Sequence, residues 1–252
     1  MVPHYIILAS VVTLAASFAA GQTPTGARQA PDLNAIVSRM TAAQEQNNAQ
    51  AKSFTVKRDY QLFDKQLERK AQLVANITYL PSDQKEYQIE SSQGGIGERI
   101  LRDVLEKETE PVKDPARKEL STSNYDFQFM GTENLGGHIC YVLGLRPRRE
   151  DKELLNGRAW VDAETFNVRK LEGDPAKNPS WWIRDLHILM TFADVDGMWL
   201  RTFTHAVANV RFKGQYVMES RDLEYGLGPV VQRRTIRQRR SPGIITGSVF
   251  NP

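Results

Sequence analysis

Gly136-Gly-His-Ile-Cys-Tyr-Val-Leu-Gly-Leu-Arg-Pro147 and, after a charged turn, Gly157-Arg-Ala-Trp-Val-Asp-Ala-Glu-Thr-Phe-Asn-Val-Arg-Lys-Leu-Glu172 decide the fold class. Ile139, Tyr141, Leu143 and Leu145 recur at period 2, the spacing of one strand face, and Pro147 ends the run because it has no N–H for a ladder. Asp162-Ala-Glu-Thr165 reads as a tight turn, since an Asp carboxylate at the first position accepts backbone N–H groups just ahead of it. Strands joined by tight turns make a meander.

The pattern extends in both directions. Asp32 caps a helix whose Leu33, Ile36, Val37 and Met40 fall at i, i+3, i+4 and i+7, and which fades at Asn47-Asn48. Extended segments follow at Phe54 to Phe63, Glu68 to Leu80 and Lys85 to Ser91, with turns near Asp64-Lys65 and Pro81-Ser82-Asp83. Gly94-Gly95 breaks the alternation, and Ile100, Leu101, Val104 and Leu105 form a second helical stripe that ends before Pro111. A helical turn is expected between Asp114 and Thr122. Strand alternation resumes at Tyr125. His187 to Val195, Met198 to Phe212 and Gln215 to Tyr225 complete nine or ten strands without βαβ alternation. The expected fold is mainly β: one large antiparallel sheet, with an N-terminal helix and a mid-chain helix beside it.

The ends set the compartment. Met1 to Gly21 holds no Asp, Glu, Lys or Arg, and Tyr5 to Ala20 is apolar and small, short of the roughly 20 residues of a bilayer span. Residues 1–21 are therefore read as a signal peptide, cleaved after Ala19 or Gly21, and 22–31 as a flexible linker. Residues 32–228 form the globular part and 229–252 a basic extension carrying Arg233, Arg234, Arg237, Arg239 and Arg240. Such a cluster suits peripheral contact with an anionic membrane surface. Hydrophobic content of 40% and charged content of 25% are ordinary for a globular chain, and the net charge of +3 singles out no partner. Export argues against nucleic acid.

Catalytic and metal signatures are missing from the sequence. Cys140, the one cysteine, has no partner for an internal disulfide and lies in an apolar strand, where a buried, inert thiol is expected. His138 beside it lacks an orienting third group. His187 and His205 flank the Asp196-Gly197 turn: a three-residue loop Val195–Gly197 sets them opposite each other, and a two- or four-residue loop sends them to opposite faces. Either way two histidines fall short of a zinc set. No enzyme activity, metal or cofactor is expected. Asn76-Ile77-Thr78 is a glycosylation sequon in a eukaryotic secretory chain only.

Phe127-Gln-Phe-Met-Gly-Thr-Glu133-Asn-Leu-Gly-Gly137-His-Ile-Cys-Tyr141, Trp160-Val-Asp162-Ala-Glu-Thr165 and Asp196-Gly197-Met-Trp199-Leu, set behind a secretion signal, an amphipathic helix and a mid-sheet helix, resemble the periplasmic lipoprotein-sorting proteins of the LolA-like group. That group shares its fold with LolB, LppX and the regulator RseB. The resemblance runs from Leu33 to Tyr225 and implies an unclosed barrel that holds acyl chains on its concave face. Leu33–Asn47 and Ile100–Lys107 match the covering helices. The Arg that holds the lid in the group's carriers matches no position here. No Cys stands ready for lipidation, which disfavours a LolB-like anchored form.

The implied function is a periplasmic carrier that shelters the acyl chains of a lipid or lipoprotein, working with inner- or outer-membrane sorting machinery. The alternative is an RseB-like regulatory or sensor module that binds a protein partner. Leu101, Val104, Leu105, Trp181 and Trp182 are the expected ligand-binding residues: the first three on the lid, the tryptophans an apolar pair in a strand, one of which faces the cavity.

Overall fold

The computed structural model describes residues 32–80, 84–111, 114–181 and 183–227, so the expected signal peptide, linker, basic extension and the Pro81–Asp83 turn lie outside the described residues. Asp32 caps α1 (Leu33–Gln50), its carboxylate accepting from the Asn34 N–H at 3.0 Å. The stripe read from sequence is the buried one, with Ile36, Val37 and Met40 inside. Each such side chain contributes about 1.5–3 kcal/mol when fully removed from water. The helix does not fade at Asn47. Asn47 accepts from the Trp199 N–H at 2.7 Å and donates to the Trp199 carbonyl at 3.1 Å, which ties the last turns of α1 to a strand far along the chain.

The strands are β1 (Phe54–Asp64), β2 (Arg69–Tyr79), β3 (Lys85–Gln93), β4 (Tyr125–Leu135), β5 (His138–Pro147), β6 (Leu155–Asp162), β7 (Val168–Pro175), β8 (Ile183–Val195), β9 (Met198–Val210) and β10 (Gly214–Leu227). Between β3 and β4 lie α2 (Ile96–Thr109) and a 3-10 turn at Pro115–Lys118. All ten strands form one antiparallel sheet in the order β3-β2-β1-β10-β9-β8-β7-β6-β5-β4. The sheet does not close, because β3 and β4 are its two ends. Every pairing joins consecutive strands except β1 with β10.

The turns follow the sequence chemistry. Asp162 Oδ1 accepts from the Glu164 and Thr165 N–H groups at 3.0 and 2.9 Å, and Asp64 Oδ1 accepts from Gln66 and Glu68, each at 3.0 Å. Gly94 turns β3 into α2 at φ +120°, where a Cβ would meet the Lys70 carbonyl at 2.4 Å; no other residue fits.

One face of the sheet carries both helices and two cores. The first joins Ile36, Val37 and Met40 of α1 to Tyr125, Leu143, Leu145, Ala159 and Val161. The second joins Leu101 and Leu105 of α2 to Val56, Tyr60, Leu62, Leu73 and Ile77. On the outer face Cys140 and Val142 pack against Trp160, whose Nε1 donates to Glu133 at 2.7 Å. β5 is thus buried on both sides, and Ile139, read as part of its inner stripe, is instead exposed at 53%.

The histidine pairing differs from expectation through a bulge. The β8–β9 loop is the two-residue Asp196-Gly197 turn, but the register slips between Thr191 and Phe192, so His205 lies opposite Leu189 and His187 opposite Val207. Both histidines therefore sit on the outer face, diagonal to one another. His187 bonds to Asp174 at 2.8 Å and His205 to Glu219 at 3.1 Å. Among the described residues, no group of three His, Cys, Asp or Glu is placed to hold a metal ion, and no helix is long and apolar enough to cross a membrane.

Candidate functional site

Direct register partners place one continuous row across the inner face: Leu73, Tyr60, Ser220, Thr204, Met190, Leu171, Ala159 and Leu143. Directly opposed residues project to the same side, so this row is a cross-section of the floor. The Leu73 end belongs to the core under α2, and the Ala159 and Leu143 end to the core under α1. Between them, over β8 and β9, two recesses remain.

The larger recess, about 410 Å³, is bordered by Phe54, Tyr79, Met190, Phe192 and Leu200, with Arg58, Lys85, Glu108 and Arg201 beside them. Phe54 and Tyr79 stack at 4.4 Å. The smaller, about 270 Å³, is bordered by Leu155, Leu171, Ile188, Met190 and Thr204. Lys118, Met190 and Arg201 border both. A larger hollow of about 780 Å³ runs along β4 to β6, but it is an open groove rimmed by Asp126, Arg146, Arg148 and Arg158, and neither helix borders it.

A buried charge cluster closes the α2 side. Glu108, in the last turn of α2, accepts from the guanidinium groups of Arg58 and Arg201 and from Tyr60 Oη at 2.8 Å, while Lys85 Nζ donates to its backbone carbonyl at 2.8 Å. Arg58 is paired on its other side with Asp222, Nη2 to Oδ2 at 2.9 Å, and Tyr225 Oη donates to the same carboxylate at 2.7 Å. Arg58 is 3% exposed. A charge at that depth persists only when paired. Burial works to raise the Glu108 carboxyl, but Arg201 and Arg58 outweigh it and hold it below the usual carboxylate range. Burial, and then the neighbouring Glu108, push the Tyr60 phenol upward, so it stays a donor. The end of α2 is fastened to β1 and β9 by one carboxylate.

Of the residues expected to bind ligand, Leu101, Val104 and Leu105 come together on α2. Leu101 and Leu105 have no exposure and fill the core against β1 and β2; Val104 is half-buried at its edge. Neither recess is bordered by any of the three. The expectation that Trp181 lies in a strand is corrected: it occupies the turn before β8 and is 76% exposed, because β8 begins only at Ile183. Trp182 lies outside the described residues. The charged groups that meet, Arg58, Glu108, Arg201 and Asp222, were missed. One signal was available. Phe54, Val56, Arg58, Tyr60 and Leu62 share the buried face of β1, and an Arg at a buried parity demands an acid nearby.

No protein-family model and no curated protein matches the chain. Solved structures do match. The chain is similar to LolA-superfamily structures. A LolA superfamily protein from Nitrosomonas europaea aligns over 77% of this chain and 93% of its own at 13% identity, with a TM-score of 0.40. A putative outer membrane lipoprotein-sorting protein domain from Vibrio parahaemolyticus aligns over 78% and 95% at 13% identity and a TM-score of 0.38. The MucA/MucB complex from Pseudomonas aeruginosa aligns over 76% and 93% at 12% identity and a TM-score of 0.28.

Proposed function

We propose that this chain is a periplasmic carrier that binds the acyl portion of a lipid or an acylated lipoprotein between α1 and α2, on the floor formed by β8 and β9. The observation that supports this is the placement of Met190, Phe192, Leu200 and Ile188 on walls of two recesses that share Met190 and Arg201, left where the two helical cores stop. Each acyl CH₂ taken from water onto such a floor contributes about 0.8 kcal/mol, so a chain of ordinary length needs few polar contacts to bind. Release would begin at Glu108, the group that fastens α2.

A regulatory module that binds a protein partner is the second reading. It is favoured by the complete burial of Leu101 and Leu105, since a helix seated in a filled core does not swing away without disrupting it. One experiment separates the two. The exported protein is purified from a membrane-containing host, examined by native mass spectrometry and extracted for lipid. Co-purifying acyl lipid supports the carrier; a stable protein partner and no lipid overturns it in favour of the regulator.

A further inference from the structure

We infer that the acyl ligand carries a single anionic head, a carboxylate or a phosphate, and that this head is seated at Arg201 with Thr204 beside it. The inference rests on the acyl-binding reading above and adds the chemistry of the head.

Two independent observations lead to it. The first is an imbalance of charge. Arg58, Lys85 and Arg201 converge on Glu108 and Asp222, three cations against two acids, a net of +1. Arg58 is satisfied by both acids, and its side chain is 4% exposed. Among the described residues Arg201 pairs with Glu108 alone, which it shares with Arg58, and its side chain is 30% exposed. A guanidinium carries five donors, and among the described residues Arg201 directs one hydrogen bond to a partner. It borders both recesses, so the unspent cation faces the space the ligand would fill.

The second is an orphaned hydroxyl. Thr204 is 7% exposed, and its Oγ1 is the one fully buried side-chain polar atom without a hydrogen-bond partner among the described residues. Buried polar groups are nearly always paired, and an unpaired one calls for an explanation. Thr204 borders the smaller recess together with Arg201, on the same strand; Leu155, Leu171, Ile188 and Met190 are apolar walls there, and Lys118, Lys152 and Glu153 also border it. A hydroxyl free to donate and a guanidinium with spare donors, in a recess where Glu153 is paired with Lys118 and most other walls are apolar, form a complementary seat for one anionic group. The low dielectric of the surroundings strengthens that pairing, and the apolar walls continue as the bed of the chain.

The test uses the delipidated full chain with oleate, oleyl alcohol and oleoyl lysophosphatidate, read by tryptophan fluorescence and calorimetry. Oleate and lysophosphatidate should bind about tenfold or more tightly than the alcohol, the scale of a hydrogen bond to a charged group. Arg201→Met should bring the anions down to the affinity that the same variant shows for the alcohol; Arg201→Lys should keep part of the preference. Thr204→Val should weaken the anions severalfold and not the alcohol, and it carries the test if Arg201→Met lowers the sheet signal in circular dichroism. The two anions identify the source: preference for oleate points to a free fatty acid, preference for lysophosphatidate to a phospholipid. Equal binding of anion and alcohol by the unaltered protein overturns the anionic head and leaves the acyl reading standing. Failure of all three to bind overturns both.

Discussion

Arg58 of β1 and Asp222 of β10 form a buried bidentate ion pair, Nη2 to Oδ2 at 2.9 Å, across the one strand pairing that joins distant parts of the chain. Their separation is 164 residues. The pair sits at an irregularity, where β1 advances from Lys57 to Arg58 while β10 skips Leu223. It is therefore both a fastener and a marker of register.

Removing one partner leaves the other charge buried. Asp222→Ala should cost about 3–5 kcal/mol, more than a surface ion pair by severalfold. Urea unfolding followed by circular dichroism measures this. A loss below about 1 kcal/mol would show that the Arg58 site is wetter than its exposure indicates.

Glu108→Gln should loosen α2 without dismantling the core beneath it. The charge that Arg58 and Arg201 share is lost, while Leu101 and Leu105 stay in place. Binding of a fluorescent apolar dye should rise with the sheet signal intact. Leu105→Ala, by contrast, opens a cavity in a filled core and should cost about 2–5 kcal/mol, with little dye binding before unfolding. If the two variants behave alike, the fastening role of Glu108 is wrong.

Acid should act through the Asp162 turn. Burial works to raise this carboxyl, but the Thr165 N–H, Arg169 and the Glu164 N–H outweigh it and bring it to about 2, from an ordinary value of 3.8. A group depressed on folding contributes stability above its unfolded value and loses it as pH falls through the folded one. About 2 kcal/mol should therefore disappear between roughly pH 4 and pH 2. Unfolding free energies across that window, for the unaltered chain and for Asp162→Asn, check it; the variant's curve should be flatter.

Cys140 has no exposure, and burial first, then the nearby Asp162, push its thiol upward. It should react with a thiol reagent only as fast as the protein opens, and the rate should rise sharply in urea. Fast labelling of the native chain would place the Cys140 side of β5 in contact with solvent.

Local chemistry was the legible part of this chain. Asp32 as a cap, the Ile36, Val37 and Met40 stripe, the Asp162 turn and the alternation of β1 are all decided by neighbours within a few residues, and each stands in the structure as read. What escaped was decided at long range. Asn47 keeps α1 helical through a strand residue 152 positions away, and the bulge at Thr191/Phe192 moves His205 to the face of His187 in a way that loop length does not foretell. The same holds for the surroundings of the expected site residues. Leu101 and Leu105 were identifiable as an apolar stripe, but whether a stripe lines a cavity or fills a core depends on side chains from β1 and β2 that the stripe does not reveal. Trp181 reads in the sequence as part of an apolar strand cluster with Trp182 and Ile183, but where a strand begins is set by its partner, and β8 begins at Ile183, opposite Val210.

The β1–β10 pairing also dictates an order of assembly. A chain synthesised from its N-terminus produces β1, β2, β3 and α2 early, yet β10, the second partner of β1, is the last of the described strands to appear. Until β10 arrives, β1 and β9 both present unpaired backbone, so the growing sheet has four raw edges where the finished one has two. Open edges are templates for pairing with another chain. The closing contact also spans the longest loop in the sheet, which makes it the slow event. Loss of β10 should thus be felt as clumping during biogenesis, in addition to the stability that its pairings with β1 and β9 supply.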